Sequence, residues 1–169
     1  MRNQSGYSLI EVLTVIGIVA ILAALAIPDL IGWRSKAQLG RAARDVYSSF
    51  QKAKIEAIRR TAFCTVTFDA TTYKVFVDSN QNLVLDAGEQ VIRSGKWSGY
   101  PGVILDTSRT GCEGDGLSFA NPTNGIAFAS DGLPRNNSGG LGSGAVCLKN
   151  QAGRQKIVTV GMGGNIRID

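Results

Sequence analysis

From Leu9 to Ile27 every residue is apolar or small except Glu11 and Thr14. At 1.5 Å per residue, a helix over that run is roughly 28 Å long, close to the thickness of a bilayer's hydrocarbon core. No other feature restricts the fold so strongly, because such a segment must lie in a membrane or inside an apolar bundle. Glu11 then needs a reason, since a charge at the middle of a spanning helix costs roughly 2.5–3.5 kcal/mol on insertion scales. An ordinary signal peptide fits poorly. "MRNQSG" carries one cation, the apolar run is longer than such peptides use, and no A-x-A-like site closes it. A plain membrane anchor would also lack the glutamate.

Pro28 follows the run. Pro removes a helical hydrogen bond, so a kink or local unwinding is expected there. Gly32 and Gly40 lower helix propensity further along. The pattern then becomes amphipathic. Leu39, Ala43, Val46, Phe50, Ala53 and Ala57 follow spacings of three and four, one face of a packed helix. The helix should end near Arg60–Thr61, because "FCTVTF" brings β-branched alternation. Cys64, Val66 and Phe68 face one way, Thr65 and Thr67 the other. "TTYKVFVD" completes a hairpin across a short turn. "EQVIRSG", "VILDT", "GIAFAS", "GAVCLKN", "QKIVTVG" and "NIRID" are further strands, separated by Gly- and Asn-rich turns. The fold class is therefore α+β, a long N-terminal helix whose second half is packed by a head of antiparallel strands. The expected divisions are 1–6, 7–30 (the apolar helix), 31–61 (the amphipathic helix) and 62–169 (the head).

Lys and Arg number 18 against 13 Asp and Glu, with the excess in the first third. Such a stripe reads as a solvated helix face or as a surface for a polyanion. There is no His, which removes the commonest general base, the commonest metal ligand and the usual nucleophilic triads. No catalytic site is expected. Of three cysteines, Cys64 alternates with buried positions and reads as a free thiol. Cys147 alternates with Val146 and Leu148 and reads as facing outward, with Cys112 in an irregular stretch as its expected disulfide partner. "GLPRNNSGGLGSG", residues 132–144, reads as a long flexible loop.

"DSNQNLVLDAGE" carries oxygen-bearing side chains at loop positions one, three, five, nine and twelve: Asp78, Asn80, Asn82, Asp86 and Glu89. That is the spacing of a calcium loop, with Leu83 where such a loop needs Gly. The same residues suit a hairpin loop whose side chains cap backbone groups. Both readings stand, so Ca²⁺ is the one cofactor to consider.

"GYSLIEV" and the apolar run behind it resemble the leader and first helix of type IV pilins and type II secretion pseudopilins. The resemblance implies a leader from Met1 to Gly6, cut on the cytoplasmic side by a prepilin peptidase that also methylates the new N-terminus, Tyr7. It places Glu11 fifth in the mature chain, where its carboxylate pairs with the amine of a neighbouring subunit. The head resembles the GspH/FimT subgroup through "KIEAIRRTAFCTVTF", "VFVDSNQNLVLDAGEQVIR", "IAFASDGLPR" and "VCLKNQAGRQKIVTVGMGGNIRI". This implies a non-enzymatic minor pilin or pseudopilin, held in the inner membrane by a single pass with a periplasmic head. Its implied partners are other pilins or pseudopilins and an inner-membrane assembly platform, and it enters the filament near the tip. Some relatives bind DNA through a C-terminal G-R-x-R motif. Here Gly164, Asn165, Ile166 and Arg167 stand in that place, so Arg167 alone would contact phosphate, and DNA uptake is the alternative function.

Overall fold

The computed structural model describes residues 7–112, 115–119 and 124–169, without the side chains of 25–31. The chain divides into two compact units, Met1–Arg34 and Ser35–Asp169. The helix α1 (Leu9–Arg60) begins in the first and ends in the second. The amphipathic residues read above as a separate stretch thus share a unit with the strands, because their apolar stripe is the strands' packing partner.

In the first unit, Ser8 stands just ahead of α1, and its carbonyl accepts from the N–H groups of Glu11 and Val12. Every described side chain from Tyr7 to Ala24 is exposed. Among the described residues no helix is long and apolar enough to cross a membrane. The run read from the sequence continues to Ile27, past Ala24, the last side chain described before the gap at 25–31. The chain stays helical through Pro28.

In the second unit the stripe Leu39, Ala43, Val46, Phe50, Ala53 and Ala57 is buried, as its spacing predicts. It packs on two antiparallel sheets. One has five strands in the order β3-β2-β1-β5-β6, and the other four in the order β4-β7-β8-β9. The first comprises β1 (Cys64–Phe68), β2 (Thr72–Val77), β3 (Val91–Lys96), β5 (Gly125–Phe128) and β6 (Pro134–Arg135); the second comprises β4 (Val103–Leu105), β7 (Gly144–Asn150), β8 (Gln155–Val160) and β9 (Ile166–Ile168). Phe50 meets Phe68 at 5.5 Å between ring centroids, and Phe68 stacks on Phe119 at 5.7 Å. The ring of Tyr73 crosses β3 at Gly95, where a Cβ would lie 2.0 Å from it, so only glycine fits.

Alternation assigns the inner faces correctly but leaves the outer faces open to water. In the structure part of each outer face is covered. On the five-stranded sheet Thr65 sits opposite Phe76 and Ala127, all three buried. The loop after β2 folds over them and buries Leu83. On the four-stranded sheet the segment after β4 does the same. Cys147 takes the outer face, as its alternation predicts, but it is covered there and only 1% exposed. Its N–H donates to the carbonyl of Gly116, its own carbonyl accepts from the N–H of Asp106, and its sulfur is bonded to Cys112. Closing a loop of 35 residues removes unfolded-state entropy worth about 3–4 kcal/mol.

The segment 132–144 also departs from the flexible loop expected. Within it β6 pairs with β5, Arg135 bridges Leu141, and Gly142 donates to the carbonyl of Pro134. Two strand residues are too few for an alternation pattern to show.

Candidate functional site

The N-terminal constellation comes from the first two turns of α1 and Tyr7 just ahead of them. Tyr7, Glu11, Val12, Val15 and Ile16 line a shallow apolar groove. Glu11 is exposed at its edge, one helical turn from Tyr7 and on the same side. Gly6 lies outside the described residues. The chemistry offered is a carboxylate on an otherwise apolar rod, with a chain terminus four residues away if the chain is cut after Gly6.

The 78–89 loop is built by its own carboxylates. Asp78 is buried, and its Oδ2 accepts from the N–H of Leu83 at 2.9 Å and the hydroxyl of Thr65 at 2.7 Å. Its Oδ1 accepts from the N–H of Asn82 at 3.2 Å. Asp86 Oδ2 accepts from both amide groups, Asn80 Nδ2 and Asn82 Nδ2, each at 2.8 Å, which holds its carboxyl below the usual range. Glu89 accepts from the N–H groups of Ser79 and Asp86. Leu83 takes φ +62°, a conformation normally left to Gly, and its burial compensates the strain. Among the described residues no group of three or more His, Cys, Asp or Glu side chains is placed to hold a metal ion. The five oxygen-bearing residues read from the sequence cap the turn. Asp78→Ala should therefore cost about 2–4 kcal/mol, since it strands a buried N–H and a buried hydroxyl. Thermal unfolding with and without millimolar Ca²⁺ checks this. We expect the same loss in both; a calcium-dependent gain that vanishes in Asp78→Ala would instead mark a cation site.

Three charge clusters escaped the sequence reading. Glu56 is buried and meets Lys52, Arg59 and Arg60. The guanidiniums of Arg59 and Arg60 hold its pKa down at about 2, against an ordinary 4.5. A depressed folded-state value means the stabilisation is present above about 4.5 and is lost as pH falls toward 2. The signal was there as three- and four-residue spacings on one helix. Asp45 pairs with Arg93, which also donates to the hydroxyl of Ser48 at 2.9 Å, tying α1 to β3. Nothing in the sequence spacing links those residues. The buried Asp106 accepts from Ser108, Lys149 and Gln155 and pins the segment over the four-stranded sheet.

Cys64 is buried and free, and burial pushes its thiol up to about 11, which leaves it unreactive. Arg167 is exposed on β9, opposite Thr159 of β8. Strand alternation turns Lys156 to the other face of that sheet, so those two cations do not combine.

Comparisons with known proteins fit this geometry in two pieces. The family model described as Type II transport protein GspH matches residues 42–164, and the Prokaryotic N-terminal methylation motif matches residues 1–27. The chain is 40% identical over 91 residues to the pilin-like protein PilA1 of Thermus thermophilus, a stretch covering 52% of this chain and 57% of that one. It is 47% identical over 45 residues to the type II secretion system core protein G of Aeromonas hydrophila, covering 27% and 32% respectively. The matched stretches thus span about half or less of those relatives' own lengths. Among solved structures, the minor pseudopilin EpsH of Vibrio cholerae aligns with a TM-score of 0.54 at 15% identity, over 78% of this chain and 96% of that one. The type IV minor pilin FimU of Pseudomonas aeruginosa aligns with a TM-score of 0.56 at 11% identity, over 81% and 92%. The structural likeness is one of fold.

Proposed function

This chain belongs to the GspH family of pseudopilins and minor pilins, and from that premise we propose that it is a structural filament subunit that is cut, methylated and then assembled. One observation carries the reading. Gly6, Tyr7, Glu11 and the apolar run stand together inside the methylation-motif match, directly ahead of a GspH head.

A prepilin peptidase cuts after Gly6 and methylates Tyr7. Until assembly, the apolar helix holds the chain in the inner membrane with the head in the periplasm, where the Cys112–Cys147 bond persists. An inner-membrane platform then draws the subunit into a pilus or pseudopilus, near its tip. During that transfer Glu11 leaves the bilayer and pairs with the terminal amine of a neighbour. A buried charge with a partner is tolerated where an unpaired one is not, so the pair sets register between helices.

The partial cover over both outer faces supports a structural role. A head whose loops are pinned over parts of both sheets, one by Leu83 and one by the Cys112–Cys147 bond, presents a stiff surface to neighbouring subunits. Co-expression of the full chain with and without a prepilin peptidase tests the proposal. The expected result is a shorter chain only when the peptidase is present. An identical size in both would contradict it.

A further inference from the structure

We infer that Trp33, flanked by Arg34, docks in the lipid headgroup layer on the head's side of the membrane and so sets the depth at which α1 waits. The inference rests on the membrane-held state proposed above and names the residue that fixes its depth.

The chain has two tryptophans. Trp97 is buried and donates its indole N–H to the carbonyl of Asp69 at 2.9 Å. Trp33 is 66% exposed. Arg34 beside it is exposed as well, and neither side chain bonds to another described residue. They are the last two residues of the first compact unit.

An indole is an apolar body with a single polar N–H on its edge. Water leaves the body wet, and hydrocarbon leaves the N–H unpaired. The headgroup layer satisfies both parts, which is why tryptophan collects there. A guanidinium in the same place presents parallel N–H donors to the phosphate oxygens of that layer. Trp33 and Arg34 thus match a phospholipid surface in both shape and charge.

Their place along α1 agrees with that partner. The apolar run gives way to Pro28 and Asp29. Trp33 stands one turn past Asp29, roughly 6 Å further along the helix. The headgroup layer adds about 5–8 Å to each side of the hydrocarbon, so with Asp29 at the hydrocarbon edge Trp33 falls within that layer. Glu11 lies 22 residues before Trp33 in the same helix, a distance of roughly 33 Å. The hydrocarbon is roughly 30 Å thick. An anchored Trp33 therefore holds Glu11 at the opposite edge rather than at the middle, where a charge costs most. Tyr7, 84% exposed and one turn further out, then reaches the headgroups of the other leaflet, where the peptidase cuts.

The test uses the full chain in vesicles of neutral and anionic phospholipid, with enough lipid to keep subunits apart. One set of vesicles carries a nitroxide quencher on the headgroup, and a second carries it at the end of the acyl chain. Trp33→Phe supplies the background emission of Trp97, and flotation shows how much chain is bound. The emission that the variant lacks should be quenched several times more by the headgroup probe than by the chain-end probe. Bound chain whose Trp33 emission is quenched by neither probe overturns the anchor and leaves the membrane-held state standing. Equal or stronger quenching from the chain-end probe also overturns it, since Trp33 then lies in the hydrocarbon. Chain that does not float with the vesicles contradicts the membrane-held state and the anchor with it.

Discussion

Gly6→Leu is expected to leave the chain uncut, with essentially all of it still beginning at Met1. Cleavage after Gly6 requires a peptidase to bring its reacting groups against the backbone at that residue. Glycine permits that approach because it has no Cβ, and a leucine side chain fills the same space. The effect is close to all-or-none, since an uncut chain has neither the new amine nor the methyl group that depend on the cut. A gel that resolves precursor from mature chain checks it, using membranes in which the unaltered chain is fully processed. Efficient conversion of Gly6→Leu would mean that cleavage, if it occurs, lies elsewhere.

The second large effect concerns Glu11. Glu11→Ala should be cut normally and then fail to enter filaments. Among the described residues the carboxylate has no partner to lose in the unassembled chain, as Glu11 is exposed on the groove formed with Tyr7. In the assembled state its loss leaves a buried amine uncompensated, which costs about 3–5 kcal/mol. That converts to a drop in incorporation of roughly a hundredfold or more. Glu11→Gln keeps the shape but not the charge and should fail nearly as badly. The fraction of each variant in sheared filaments, relative to membrane, measures the effect. Equal recovery of Glu11→Ala and the unaltered chain would remove the pairing argument.

The sequence announces what local periodicity encodes. Buried positions along α1 repeat at three and four residues, and Cys64, Val66 and Phe68 repeat at two, so both packing faces were readable. So were the main strands, because each is long enough to alternate. What escaped is what long-range folding adds. Thr65 and Cys147 point away from the helix and would be wet if their sheets were open. They are buried because segments far along the chain close over them, through Leu83 in one case and Cys112 in the other. A period of two says which face a side chain takes and nothing about what covers that face. The division into two sheets was hidden for the same reason, since strand order depends on which edges meet.

The site residues divide in the same way. Asp78, Asn80, Asn82, Asp86 and Glu89 were visible as a group from spacing, but spacing does not tell whether oxygens point at a shared centre or at the loop's own N–H groups. Here they point at the loop. Leu83 stands where a calcium loop needs Gly, and in the structure it is buried at φ +62°. Asp45 and Arg93 sit 48 positions apart and could be joined only by the fold.

The central claim is that this chain is a processed, methylated filament subunit, and the mass of its mature N-terminus tests it most directly. The chain should be isolated from membranes in which the prepilin peptidase is active and measured intact, then by fragmentation from the N-terminal end. The account predicts a chain that begins at Tyr7, carries one added methyl group on its amine, and lacks Met1 to Gly6. A chain that still begins at Met1, or one cut at the far end of the apolar run beyond Ile27, would contradict it.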